Sequence, residues 1–165
     1  MSTQPCNPWN FVPHQHQGPH QETEVDAHVR SPTKHNGPVK AGGIMTFMGA
    51  PYCPPDREKI REMGAKVCFL GAPWDLSTIV RTGTSSGPQG IREASTQYFP
   101  YMFEYDVDLM TFFNVVDCGD IPIVPGNSAK SQQYMVDYIS ECLEGGARVI
   151  LVGGDHSVPI PGARA

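Results

Sequence analysis

The sequence predicts an α/β fold built on a mainly parallel sheet. Three apolar segments, KVCFLGAP (66–73), FFNVVDCGD (112–120) and RVILVGG (148–154), have the length of strands and few polar residues. Near-continuous apolar runs, as opposed to alternation, are typical of strands that are buried on both faces, as in parallel sheets. Helical segments separate the three runs, so strand, crossover helix and strand follow one another along the chain.

Three helices are predicted around these strands. The segment 54–65 begins with two prolines and ends at a glycine, and a second helix is expected over 88–96, since proline is tolerated in a first helical turn. The clearest helix covers 127–144, where Asn127 or Ser128 can cap the first amides. Its predicted apolar face consists of Tyr134, Met135, Tyr138, Ile139, Cys142 and Leu143.

The chain divides into a predicted flexible arm, residues 1–43, and an ordered α/β domain, residues 44–165. The arm holds five of the six histidines, is rich in proline and has almost no apolar periodicity. The histidine spacing matches no ligand pattern, so we interpret the arm as a polar solvated segment, with a metal site as the alternative. Asp26-Ala27-His28 looks like a ligand pair, but Arg30 stands where a further acidic ligand would be needed.

Composition excludes several functional classes. The formal net charge is −5, with 12 Lys and Arg against 17 Asp and Glu, so no basic stripe indicates nucleic-acid binding. The five cysteines form no C-x-x-C pair and are an odd number, which argues against a zinc knuckle or a disulfide scaffold. No apolar run reaches the roughly 18 residues of a membrane span, and the first residues do not resemble an export signal. A soluble cytoplasmic protein with reduced thiols is expected.

Polar residues follow each of the three predicted strands. Asp75 follows the first, Asp117 and Asp120 end the second, and Gly-Gly-Asp-His-Ser (153–157) ends the third. Functional groups of open α/β sheets lie at this carboxyl edge, so a site is predicted there. Each aspartate alone is interpreted more simply as a turn or capping residue. A neutral imidazole is a good ligand for Mn, Ni, Zn or Fe, but the residues alone leave His156 open between a ligand and a capped turn.

The segment Gly83–Gly87, GTSSG, matches the G-x-S-x-G pattern of serine hydrolases with Ser85 as the nucleophile. The order Ser85, then Asp117 or Asp120, then His156 matches that of an α/β-hydrolase triad. Such a nucleophile needs a strand that runs directly into a helix, whereas the residues before Ser85 are too polar for a buried strand. The sequence therefore disfavours this alternative.

Three longer motifs occur in a fixed order: GAPWDLSTIVRTGTSSGPQGIREAS (71–95), VVDCGDIP (115–122) and VGGDHSVPIPGARA (152–165). Together they resemble the ureohydrolase family of arginases and agmatinases, most closely the agmatinase-like branch that includes guanidinobutyrases and guanidine hydrolases. The resemblance spans 44–165. Thr82 stands where the family more often has proline. By this resemblance GTSSG belongs to a loop at the substrate mouth.

The resemblance implies a three-layer α/β/α fold, of the arginase type, with two Mn²⁺ ions, or Ni²⁺ in some relatives, at the strands' carboxyl edge. It implies hydrolysis of a small guanidino compound to urea and an amine by a metal-bridging hydroxide. His156 would be a ligand of one metal, Asp155 would lie beside the metals, and Asp75 would line the entrance for a cationic substrate. A homo-oligomer, trimer or hexamer, is implied, and the substrate is not distinguished among agmatine, guanidinobutyrate and guanidine.

The family's other ligand blocks, D-A-H-x-D and S-x-D-x-D-x-x-D-P, do not follow His156 in this sequence. One neutral imidazole cannot hold two divalent cations, since it supplies one bond and no negative charge. We therefore expect the chain to be the amino-terminal half of the domain, inactive by itself and without a catalytic residue of its own. Pro159 and Pro161 before GARA predict the start of a helix. The alternatives are a non-catalytic binding or regulatory subunit and, remotely, a serine hydrolase.

Overall fold

The computed structural model describes residues 44–165, which fold around a three-stranded parallel sheet of order β4-β1-β5. In chain order the strands are β1 (Val67–Ala72), β2 (Tyr101–Met102), β3 (Val107–Asp108), β4 (Val115–Asp120) and β5 (Arg148–Gly153). The helices are α1 (Arg57–Glu62), α2 (Gly87–Ser95), α3 (Leu109–Phe113), α4 (Ser128–Glu144) and α5 (Pro159–Arg164). Two short 3-10 turns are present at Phe47–Gly49 and Thr84–Ser86. The predicted arm, with its histidines and Asp26-Ala27-His28, lies outside the described residues.

Helices α2 and α4 cover opposite faces of the sheet. Successive residues of a strand point to opposite faces, so Cys68 and Phe69 on β1 identify the two sides. The Arg92 guanidinium of α2 lies 5.1 Å from the centre of the Phe69 ring. On the other side, the sulfur of Cys68 lies within 4.8 Å of the sulfur of Cys142 on α4. This arrangement of helix, parallel sheet and helix confirms the predicted fold class.

The central strand β1 is buried, whereas β5 is partly exposed. Burial is nearly continuous along β1, but β5 has exposed and half-buried residues, and Ile150 is 46% exposed. The burial on both faces that was predicted for β1 is confirmed. Among the described residues β5 has no neighbour beyond β1, whereas the outer side of β4 is covered by residues 51–53, which hydrogen-bond to Asp117.

Helix α1 begins and ends where side chains satisfy its free backbone groups. The Asp56 side chain accepts hydrogen bonds from the backbone amides of Glu58 and Lys59 at 3.1 and 3.0 Å, so the helix starts at Arg57, after the prolines that were expected to open it. At the other end Gly64 adopts φ +61°, a left-handed conformation that glycine reaches without strain. The side-chain amide of Asn114 donates to the backbone carbonyls of Met63 and Gly64, both at 2.8 Å.

The second predicted strand begins later than expected. Residues 109–113 form α3, and the strand covers 115–120 instead of 112–120. Asn114, between the two elements, has φ +44°, which interrupts an extended backbone. The aromatic residues of 112–113 therefore end a short helix and are about two fifths exposed, at 42% and 40%. The small antiparallel pair β2 and β3 was not predicted.

Helix α4 confirms the strongest helical prediction. The Asn127 side chain accepts a hydrogen bond from the Lys130 amide at 3.0 Å and caps the helix. Three residues of the predicted apolar face are buried: Met135, Ile139 and Cys142. Leu143, assigned to the same face, is 43% exposed. Among residues 44–165 no helix is both long enough and apolar enough to cross a membrane.

Arg57 joins α1 to α4 through an ion pair whose effect on stability depends on pH. Its guanidinium and its amide both donate to Glu141, and these hydrogen bonds lower the pKa of Glu141 from 4.5 to about 2. The stabilisation is therefore complete above about pH 4.5 and is lost as the pH falls through about 2.

We expect Glu141→Gln to lower the midpoint of thermal unfolding slightly at neutral pH, because the pair is partly exposed. The decrease should shrink as the pH is lowered from about 4.5 towards 2, since the wild-type carboxylate then becomes protonated. Unfolding followed by circular dichroism over this range measures both effects. Glu62→Gln, at an exposed position of α1, is the matched control. A decrease that is the same at every pH would contradict the assignment.

Candidate functional site

The carboxyl ends of β1 and β5 meet directly, as the sequence predicts. The last paired residues are Ala72 and Gly153. Beyond them, the Asp155 amide donates to the Trp74 carbonyl at 2.8 Å, and the Ser77 amide donates to the Asp155 carboxylate at 2.7 Å. These bonds hold the turn after β5 against the loop after β1.

Gly154 is required for this contact because a side chain would not fit. A Cβ atom at this position would lie closer than 3.0 Å to the carbonyl oxygens of Trp74 and Ala72. The backbone after β5 can approach the end of β1 only without that atom. The glycine pair of the Gly-Gly-Asp-His-Ser segment therefore has a packing function that is independent of any ligand.

The Asp155 carboxylate fixes the turn that carries His156. One oxygen accepts hydrogen bonds from the amide, at 2.9 Å, and the hydroxyl of Ser157, and the other accepts from the Ser77 amide. Partial burial opposes ionisation, but these hydrogen bonds and the nearby His156 keep the pKa of Asp155 below its usual value. Asp155 was predicted to lie beside a metal pair; in this structure its two oxygens bind the backbone on both sides of the edge.

The His156 imidazole is exposed in the turn between β5 and α5. The backbone amide of Ser157 donates a hydrogen bond to the Asp155 carboxylate, so the backbone on both sides of His156 is fixed. No hydrogen bond is made by the ring to any residue of the 44–165 segment. The side chain is thus positioned at the carboxyl edge with its nitrogen atoms available.

Asp75 closes the loop between β1 and the start of α2. Its carboxylate accepts hydrogen bonds from the Gly83 amide at 3.0 Å and the Ser85 hydroxyl at 2.9 Å. The tip of this loop is open to solvent, with Ile79 98% and Val80 94% exposed. Asp75 was predicted to line a substrate entrance; the structure shows it as the residue that gives the loop its shape.

The position of Ser85 does not match that of a hydrolase nucleophile. It lies in the 3-10 turn Thr84–Ser86, and the loop 73–83 separates this turn from the end of β1. A nucleophile elbow instead joins a strand directly to a helix. Its hydroxyl donates to the Asp75 carboxylate and not to the His156 imidazole that the triad would need as its base.

Asp117 and Asp120, at the end of β4, bind Arg92 of α2. Two guanidinium nitrogens donate to Asp117 at 2.8 and 2.9 Å, and a third donates to Asp120 at 2.6 Å. The Asp117 side chain is 1% exposed and that of Arg92 8%, whereas Asp120 is 40% exposed. Burial opposes the charge, but the two carboxylates raise the pKa of Arg92. Asp117 also accepts from the amides of Phe47 and Gly119, at 2.7 and 2.8 Å.

This pair gives the two aspartates a structural function that differs from the turn or capping role expected for them, although Asp117 also accepts from the Gly119 amide in a local turn. Sequence reasoning did not identify Arg92 as their partner. The arginine follows Ile91 in a predicted helix, and nothing in that pattern shows that α2 turns it towards the sheet.

The described part of the edge offers one candidate metal ligand, His156, and no group of side chains that could hold an ion together. Among residues 44–165 the only group of three or more His, Cys, Asp or Glu side chains with mutually close ligand atoms is Cys68, Cys118 and Cys142, in the core. His156 is not in such a group, and both oxygens of Asp155 are engaged. A manganese or nickel ion takes several ligands, so these residues do not hold a metal pair by themselves.

Known proteins share the part of this chain that contains β1, β4, β5 and the edge. Residues 65–165 match the family model described as Arginase family. A guanidinobutyrase from Pseudomonas aeruginosa is 30% identical over 142 residues, which are 86% of this chain and 43% of that protein. An agmatinase from Salmonella paratyphi B is 34% identical over 99 residues, covering 59% of this chain and 32% of that protein.

A solved structure has the same fold over most of the described residues. The proclavaminate amidino hydrolase from Streptomyces clavuligerus aligns with a TM-score of 0.64 and 30% identity, over 74% of this chain and 39% of that chain. The chain thus spans less than half the length of these three relatives. The family match includes the strand ends and the His156 turn, and the chain belongs to the arginase family.

Proposed function

We propose that this chain contributes one side of the active site of an agmatinase-like ureohydrolase, which hydrolyses a C–N bond of a guanidino compound to urea and an amine. One observation supports this above the others: an exposed imidazole lies at the carboxyl edge of the sheet, on a turn fixed by hydrogen bonds to two neighbouring segments. The similarity to a guanidinobutyrase and an agmatinase supports the choice of a guanidino substrate.

His156 has the role of a single ligand to one of two Mn²⁺ ions, with Ni²⁺ as the alternative metal. A ligand on a turn that is already ordered loses little conformational freedom when it binds, and here Asp155 provides that order. The other ligands are proposed to come from the family's D-A-H-x-D and S-x-D-x-D-x-x-D-P blocks. The chain of 165 residues alone is therefore proposed to be inactive, in agreement with its incomplete donor set.

The loop that Asp75 closes is proposed to line the substrate entrance. Asp75 holds Gly83 and Ser85 in place, and Asp155 holds Ser77 in the same loop. Two carboxylates beside the edge favour a cationic guanidinium over an anionic substrate. In this proposal Asp75 acts by positioning the loop and by its charge.

The test compares the present chain with the same chain extended through both missing blocks. The extended protein is expected to bind two Mn²⁺ or Ni²⁺ ions and to release urea from agmatine, guanidinobutyrate or guanidine. The present chain should do neither. His156→Ala in the extended protein should abolish urea release and weaken metal binding, measured by calorimetry, because one ligand is removed. His28→Ala, in the Asp26-Ala27-His28 segment of the arm, is the matched control and should have no effect.

Full activity of the His156→Ala variant would refute the proposal. A coding sequence that does not continue into the D-A-H-x-D block would instead support the alternative of a non-catalytic binding or regulatory subunit. Labelling of Ser85 by a fluorophosphonate, with activity unaffected by chelators, would support the serine-hydrolase alternative.

A further inference from the structure

Three cysteine thiols meet in the core between the sheet and α4. Cys68 on β1, Cys118 on β4 and Cys142 on α4 have sulfur atoms within 4.8 Å of one another. Their exposures are 0%, 2% and 0%. The sequence did not indicate this cluster because the three residues are far apart in the chain and form no C-x-x-C pair.

The cluster follows from the parallel register. Cys68 pairs with Val116 across β1 and β4, and Cys118 lies two residues further along β4, so the two thiols point to the same face. That face is covered by α4, whose buried residues include Cys142. The three thiols therefore connect two strands and the helix that packs on them.

The spacing of the thiols is close to that of a metal site. A metal–sulfur bond of about 2.3 Å places three sulfurs around one ion at about 3.8 to 4.0 Å from one another. The sulfur atoms are at most 4.8 Å apart, so each sulfur–sulfur distance would have to shorten by at most about 1 Å for the three to bind one ion. Rotation of the cysteine side chains about χ1 supplies movements of this size.

The chemistry of the cluster is that of a soft cation site. Thiolates favour Cu(I) and zinc over Mn, Mg or Ca, so this site is distinct from the His156 edge.

We propose that Cys68, Cys118 and Cys142 form a three-thiolate site for one Cu(I) ion, which ties α4 to β1 and β4. The coordination number decides between the soft ions. Structural zinc takes four protein ligands, and the group contains three within the described residues. Cys53 is also fully buried, but it does not belong to this group, and its thiol donates to the Pro54 carbonyl at 3.4 Å.

The test uses the full chain, reduced and without oxygen, titrated with Cu(I) in competition with a Cu(I) chelator. The expected result is one Cu(I) per chain, thiolate-to-metal charge-transfer absorption in the ultraviolet, and a higher midpoint of thermal unfolding, because the ion binds the folded state. Cys118→Ala and Cys142→Ala should each weaken binding by at least about tenfold. Cys53→Ala, a buried thiol outside the site, is the matched control and should bind as the wild type does.

A measurement on the wild-type chain tests the site even if the variants do not fold. After Cu(I) is added, alkylation in mild denaturant followed by mass spectrometry should show protection of Cys68, Cys118 and Cys142, but not of Cys53. Equal loss of binding in Cys53→Ala, protection confined to other cysteines, or tighter binding of Zn²⁺ than of Cu(I) would each overturn the proposal.

Discussion

Replacing Arg92 by methionine is expected to lower the free energy of unfolding by about 3–5 kcal/mol, since it leaves a buried carboxylate without its counter-charge. Asp117 is 1% exposed and receives two of the guanidinium hydrogen bonds. The two amides that also donate to it do not neutralise its charge. The arginine also lies over the Phe69 ring, but methionine preserves much of that apolar contact. Urea unfolding at neutral pH, monitored by fluorescence or circular dichroism, measures the change.

Two further variants show whether charge burial causes the loss. Asp120→Asn removes the exposed partner of the same guanidinium, so it should cost at most about 1 kcal/mol. Adding Asp117→Asn to Arg92→Met should restore a large part of the lost stability, because the buried group is then neutral. A loss below about 1 kcal/mol in Arg92→Met, or no recovery in the double variant, would show that the unpaired charge of Asp117 is not the cause of the destabilisation.

Gly154→Ala is expected to destabilise the chain by about 1–3 kcal/mol, because the new methyl group overlaps two backbone carbonyls that cannot rotate away. A Cβ atom here lies under 3.0 Å from the oxygens of Trp74 and Ala72. The Trp74 carbonyl also accepts the hydrogen bond from the Asp155 amide, so relieving the overlap separates the β5 turn from the β1 loop. We expect faster hydrogen exchange at the Asp155 and Ser77 amides, measured by mass spectrometry, together with the loss in stability.

Gly90→Ala is the matched control for this substitution. Gly90 lies inside α2, and a Cβ atom there meets nothing within 4 Å. Alanine is the better helix former, so this variant should gain about 0.5–1 kcal/mol. If both substitutions change stability in the same direction, the close approach of the two strand ends does not explain the need for glycine at position 154.

The accuracy of the sequence predictions depended on whether the controlling interaction was local. The α4 cap at Asn127 and the turn at Gly64 are set by nearby residues, and the structure has both. The start of β4 was predicted too early, since the apolar residues before it are compatible with either helix or strand. The edge position of β5 depends on its neighbours in the sheet, so its apolar sequence alone does not determine how deeply the strand is buried.

For the candidate site, too, the sequence predicted the features that depend on local order in the chain and not those that depend on contacts between distant segments. The chain order of the motifs placed His156 and Asp155 at the end of a strand, and the strand ends do meet at one edge. That Asp155 binds the backbone on both sides, and that Asp75 binds Gly83 and Ser85, follows from loop geometry that no local pattern contains. The ligand role of His156 and the entrance role of Asp75 stay predictions.

By itself the sequence determined the α/β class, the parallel strands, the long helix and the family resemblance, because each depends on periodicity, caps and motifs that are local in the chain. Only the tertiary structure decided which polar side chains are paired and which are available. Arg92 and Asp117 are 25 residues apart, and Cys68 and Cys142 lie on different layers. Their contacts depend on strand register and on the side of the sheet that each helix covers, which are set by packing of the whole domain.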